Sequence, residues 1–131
     1  MQLNLTHISY TYPGTASPAI EDVSATFPSG WTGIGDNGCG KTTLARIAAR
    51  AITPDSGAVS PNLFASYCEQ DSTQEPDKLF DLASDWGKEA QRARALLRIE
   101  DDWFWRYDTL SGGQQKRLQI ACALYAQPDV L

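Results

Sequence analysis

The run Gly35-Asp36-Asn37-Gly38-Cys39-Gly40-Lys41-Thr42 sets glycines ahead of a lysine and a hydroxyl, in the spacing G-x-x-x-x-G-K-[ST] that suits a chain of phosphates. Glycines let successive backbone N–H groups curl around an anion without side-chain obstruction. A helix beginning at Lys41 aims the positive end of its dipole at the same place. Lys41 supplies a point charge for the β- and γ-phosphates, and the Thr42 hydroxyl is short enough to ligate Mg²⁺, with Thr43 as the less certain neighbour. The plain alternative, a glycine-rich turn before a helix, is disfavoured because a strand and a helix flank the loop in the required order. At the variable position Cys39 the choice lies between a side chain that turns outward and a redox switch.

A second anion site is legible at Leu110-Ser111-Gly112-Gly113-Gln114, which Gln115-Lys116-Arg117 and an amphipathic stretch follow. Ser111 and the first amides of that helix are the donors. Taken alone, a Ser-Gly-Gly helix start is equally well read as simple capping.

The elements around these motifs follow from periodicity. Leu3, Leu5, Ile8, Tyr10 and Tyr12, then Ile20 to Phe27 after a turn at Pro13-Gly14, predict two antiparallel strands. Trp31 to Ile34 suits a short buried strand, and Lys41 to Ile52 a helix with Leu44, Ile47, Ala48 and Ala51 on one face. Pro54 and Gly57 stop that helix, and Asn62 to Cys68 is expected to form a further strand. Helical segments are expected over Leu79–Trp86 and Lys88–Ile99, separated by Gly87. A longer helix starts at Ser111, buries Leu118, Ala121, Cys122 and Tyr125, and ends at Pro128. Asp129-Val130-Leu131 reads as the opening of a strand.

The glycine loop, Gln70 after a strand, Leu-Ser-Gly-Gly-Gln, and Ala-x-x-x-x-Pro-Asp-Val-Leu together resemble the ATP-binding cassette (ABC) ATPases over essentially the whole chain. The resemblance implies that Gly35 to Thr43, including Asn37, Gly38 and Gly40, is the Walker A segment binding ATP. It implies that Gln70 is a catalytic glutamine touching Mg²⁺ and the attacking water, and that Leu110 to Gln114 is the signature motif. Tyr12 stands where the family places an aromatic that stacks on adenine, although Tyr10 or Tyr107 could be confused with it. Gln70 also has an ordinary reading as a polar loop residue. In the family two cassettes face each other head to tail, so Ser111, Gly112, Gly113 and Gln114 of one would complete the γ-phosphate site of the other, and ATP would hold the pair together.

The fold expected is α/β. It comprises an antiparallel β part over residues 1–30, a mostly parallel P-loop core sheet over 31–70, a small helical subdomain over 71–113, and the signature helix with the start of the Walker B strand over 114–131. The Walker B Asp and Glu, the D-loop and the switch histidine of the family would lie past Leu131. The expectation is therefore that the native gene continues or that this is a fragment, and that the chain as written is inactive in hydrolysis. The sole histidine, His7, lies in the opening strand and is expected to be structural. Gly30 to Gly35 is also shorter than the family's approach to its loop. The Tyr67-Cys68-Glu69-Gln70 and Tyr107-Asp108-Thr109-Leu110 runs look like the soluble F subfamily, which acts on ribosomes. The alternatives are the nucleotide-binding subunit of a transporter, with a membrane subunit as partner, and a non-catalytic nucleotide-binding module. Trp86, Trp103, Phe104 and Trp105 suit either a docking surface or, by preference, buried core.

Composition sets the outer bounds. With 131 residues, 42% apolar, the chain holds one domain of ordinary core size, which should bury roughly two-thirds of its unfolded surface without disulfides. The net charge of -5 disfavours a protein whose main business is coating nucleic acid. Cys39, Cys68 and Cys122 are odd in number and widely spaced, the pattern of a reducing, cytoplasmic setting. No apolar run approaches the roughly 18 to 20 residues that cross a bilayer.

Overall fold

The computed structural model describes residues 2–30 and 40–131. The strand expected over 31–34, and Gly35, Asn37, Gly38 and Cys39 of the glycine loop, lie outside the described residues. The chain divides into two compact units, Met1–Tyr67 with Val130, and Cys68–Asp129 with Leu131.

In the first unit β1 (Leu3–Tyr10) pairs antiparallel with β2 (Ile20–Phe27), as the alternation predicts, and with β3 (Ser56–Val59), giving the order β2-β1-β3. β1 places Leu3 and Leu5 inside and then Ile8, a step of three that would turn Ile8 to the other face of a regular strand. The pairing register shifts between Leu5 and Ile8, and His7 takes a left-handed backbone with φ 50°. This bulge absorbs the extra residue and returns Ile8 to the core. His7 Nδ1 meets Asp22 Oδ1 at 2.7 Å, both side chains exposed.

β3 replaces the break expected at Gly57. That glycine, at φ 96°, lies so close to β1 that a Cβ would stand 2.6 Å from the Thr6 carbonyl oxygen. It is in the sheet because of close backbone approach, a meaning a strand glycine shares with a turn glycine. The strand expected over Asn62–Cys68 reduces to a parallel bridge between Ala65 and Val130. Ser66 N–H donates to the Val130 carbonyl at 2.8 Å, and Val130 N–H to Phe64 at 3.2 Å. Where a strand was expected to open, Val130 makes this isolated bridge, and among the described residues it is the parallel pairing seen.

α1 (Lys41–Ala48) lays Ile47 on the sheet, where Leu5, Ile8, Ile20 and Ile47 form one core. Each fully buried aliphatic side chain there contributes about 1.5–3 kcal/mol. The helix stops short of Ile52 because Arg50 turns left-handed (φ 62°). Ala51 N–H then donates to Arg46 O at 2.9 Å and Arg50 N–H to Ile47 O at 3.0 Å, which satisfies the last carbonyls in a Schellman closure.

The second unit is helical: α2 (Leu79–Ser84), α3 (Lys88–Leu97), two 3-10 turns at Asp101–Trp105 and Tyr107–Thr109, and α4 (Gly112–Tyr125). Gly87 separates α2 from α3, as expected. The α4 residues Leu118, Ala121 and Cys122 are buried against Leu82, Ala90, Ala93, Trp103 and Tyr107. The aromatic cluster splits: Trp103 and Phe104 are core, whereas Trp86 and Trp105 are 63% and 72% exposed. Two arginines close the helix ends. Arg94, itself buried, donates to the carbonyls of Leu82 and Ala83 and lies 4.5 Å from the Trp86 ring centre. Arg117 Nε donates to Leu97 O at 3.1 Å. Among the described residues no helix is long and apolar enough to cross a membrane.

Candidate functional site

Gly40 opens α1 with φ 84°, and a Cβ on it would sit 3.0 Å from the Ala19 carbonyl oxygen. Conformation and crowding both demand glycine here. Among the described residues no side chain caps α1 at this end, where the positive end of its dipole lies. Thr42 is exposed in the first turn and Lys41 partly so.

Thr43 is 95% covered, its residual exposure being 5%. Its Oγ1 lies 2.7 Å from the Tyr12 hydroxyl, a bond that pins the half-buried Tyr12 ring against the first turn of α1. The Tyr10 ring packs edge-on to Tyr12 with centroids 5.0 Å apart. Of the other tyrosines considered, Tyr107 is core. Its hydroxyl donates to Ser72 O at 2.5 Å, and burial pushes its pKa up to about 12, the negative charges of Cys122, Glu75 and Asp71 adding to the effect.

The second unit carries the remaining candidates. Ser111 caps α4 through a reciprocal box: Gln114 N–H donates to Ser111 Oγ at 3.2 Å, and Ser111 N–H to Gln114 Oε1 at 3.0 Å. The hydroxyl accepts in this bond, so its proton is left to donate elsewhere. Gly112 and Gly113 follow, exposed, with nothing within 4 Å of where a Cβ would stand. The buried Gln115 donates from Nε2 to Tyr107 O at 3.1 Å and locks α4 to the turn before it.

Gln70 is exposed in a bend. Its loop is tied to α4 by Lys116, whose Nζ donates to Glu69 O at 2.5 Å, to Gln70 O at 3.3 Å and to Gln119 Oε1 at 2.6 Å. Sequence reasoning missed Lys116, since its partners are backbone carbonyls far off in the chain and no spacing rule points to them. It missed the Tyr12–Thr43 bond for the same reason. Near this loop Cys68 is half-buried, and burial raises its pKa against the lowering effect of the Lys116 charge. Cys122 is buried and pushed up to about 12, first by desolvation and then by Cys68. Both are free thiols.

Arranged this way, the first unit offers an uncapped helix start beside an anchored aromatic ring, and the second a capped helix start with two bare glycines. A likeness of fold accompanies this geometry: the ATP-binding cassette MJ0796, in a dimeric post-hydrolysis structure bound to ADP and Pi, superposes with a TM-score of 0.71 at 19% identity, over 96% of this chain and 70% of that one. Among curated proteins, ABC transporter I family member 10 of Arabidopsis thaliana is 35% identical, over 98% of this chain and 53% of that protein. The energy-coupling factor transporter ATP-binding protein EcfA1 of Lactobacillus acidophilus is 29% identical over 95% of this chain and 55% of its own. The taurine import ATP-binding protein TauB of Pseudomonas fluorescens is 31% identical over 98% and 57%. The chain spans about half the length of these relatives, and the alignments run over 144 to 156 positions, so the relatives carry insertions that this chain lacks. The family model described as ABC transporter matches residues 20–131, and the chain belongs to that family.

Proposed function

We propose that this chain is the nucleotide-binding part of a transporter's ATP-binding cassette, with Tyr12, Gly35, Asn37, Gly38, Cys39, Gly40, Lys41, Thr42 and Thr43 taking ATP and Ser111, Gly112, Gly113 and Gln114 serving the ATP of a facing cassette. The observation that carries this is the contrast between the two helix starts. Among the described residues α1 begins with no side-chain cap, while α4 is capped and yet carries two glycines that no described neighbour crowds. The first is left for a ligand of this chain, the second for close approach by something outside it. The named transport ATP-binding relatives favour a membrane subunit as the further partner over the ribosome expected from the Tyr67 to Gln70 and Tyr107 to Leu110 runs. The dimeric fold neighbour supports a second cassette, and the cytoplasmic face of a membrane suits such a subunit.

Mg²⁺ fits the donors available. The Thr42 hydroxyl and the Gln70 side-chain amide are oxygen ligands of the kind a hard cation takes. Among the described residues no three of His, Cys, Asp and Glu cluster to hold a metal. Bound there, Mg²⁺ would neutralise phosphate charge. In this proposal Thr42 and Gln70 would each be a ligand of the ion, and Gln70 would hold the attacking water of the complete ATPase.

Lys41→Ala should weaken ATP binding about tenfold or more, the scale of a lost charge-assisted hydrogen bond, measured by calorimetry. Unchanged affinity rejects the phosphate site. Ser111→Ala should leave one-chain binding intact and abolish ATP-driven pairing in sedimentation; pairing at wild-type ATP concentrations rejects the facing-cassette role.

A further inference from the structure

Lys116 spends its three N–H donors on two main-chain carbonyls, Glu69 and Gln70, and on the Gln119 side chain. All three acceptors are neutral. A lysine on a helix usually leaves its ammonium in water or gives it to a carboxylate, and ordering this side chain costs up to about 2 kcal/mol of rotamer entropy. What the arrangement gains is position: it grips the loop by its backbone and leaves the exposed Gln70 side chain outside the grip. The same helix starts at Ser111, and Gln115, beside Lys116, locks that start to Tyr107.

We propose that Lys116 is a positioning residue that couples the start of α4 to the Gln70 loop, so that engagement of Ser111 by a facing triphosphate is transmitted to the loop that meets Mg²⁺. The coupling needs no hinge of its own. α4 is continuous from Gly112 to Tyr125, and a displacement of its first turn carries Lys116, and with it the Glu69 and Gln70 carbonyls. The inference rests on the reading of Gln70 as a Mg²⁺-contacting residue.

The test compares Lys116→Met, Lys116→Arg and Gln70→Ala in the full chain, measuring ATP affinity by calorimetry with Mg²⁺ and with chelator. Lys116→Met should reduce the Mg²⁺-dependent gain in affinity about tenfold, as loss of an outer-shell support does, and leave the Mg²⁺-free affinity unchanged. Lys116→Arg should restore it, and Lys116→Met should add nothing to Gln70→Ala. A wild-type Mg²⁺ gain in Lys116→Met, with Gln70→Ala reduced, overturns the positioning role. If Gln70→Ala keeps the full Mg²⁺ gain, the reading of Gln70 falls and the proposal with it.

Discussion

Gly112 and Gly113 pose the sharpest question at the level of single residues, because neither has a positive φ and neither faces anything within 4 Å. Glycine in a helix costs about 0.5–1 kcal/mol against alanine, and the chain's own structure returns nothing for it. Gly113→Ala should therefore raise the unfolding free energy from urea titration by about 0.5 kcal/mol, leave one-chain ATP binding unchanged and block ATP-driven pairing. A destabilised variant, or one that still pairs, would place the need for glycine elsewhere. Gly40 and Gly57 are the opposite case, as each answers to a carbonyl oxygen of its own unit. The motif spelling marked Gly40 and the two signature glycines without the structure. Gly57 was misread as a stop because the opposing strand that crowds it is distant in sequence.

Element boundaries carry a related lesson. The expected helices ran several residues past the observed ends of α1 and α3, and the cause is the same in both. Arg50 and Arg98 take left-handed backbones, with φ 62° and 53°, where glycine would be the usual signal. At the end of α3, Ile99 N–H reaches Arg94 O at 2.9 Å and Arg98 N–H reaches Ala95 O at 3.2 Å, the closure already seen after α1. A non-glycine residue in that conformation costs about 1 kcal/mol, so Arg98→Gly should stabilise the fold by about that amount in urea unfolding. No change, or a loss, would show that the Arg98 side chain contributes as much as its backbone costs. The start of α4, by contrast, was legible to the residue, because Ser111 and Gln114 form a capping box written within four consecutive positions.

At the scale of the whole molecule, stability depends on links between helices that no local pattern announces. The Tyr125 hydroxyl, on α4, donates to Asp85 Oδ2 at 2.5 Å, and Asp85 Oδ1 accepts from Gly87 N–H at 2.7 Å at the start of α3. These bonds, that from Tyr125 first, hold the Asp85 pKa below the usual carboxylate range, and the same bond raises that of Tyr125. A depressed carboxylate stabilises the fold above its unfolded pKa and loses that contribution as pH falls through the folded value. The raised tyrosine contributes below its unfolded pKa and loses it as pH rises through the folded one. Tyr125→Phe should thus lower the urea midpoint near neutrality, and the gap to the wild type should close as pH drops below about 4. A gap that stays constant through that acid range would assign the effect to packing alone.

Family, fold class and the Ser111 capping box were readable from residue order, because glycine loops and helix caps are made by neighbours in the chain and their chemistry is spelled in consecutive letters. The β1–β2 hairpin was readable too, its strands being joined by a short turn. Folding alone decided that Thr43 anchors Tyr12, that Lys116 grips the Gln70 loop, that Trp103 is core while Trp105 is surface, and that β3 joins the sheet. The Thr43, Lys116 and β3 contacts join residues from 31 to about 54 positions apart, and such contacts depend on where the packed backbone brings carbonyls and hydroxyls together, for which no local spacing holds a record.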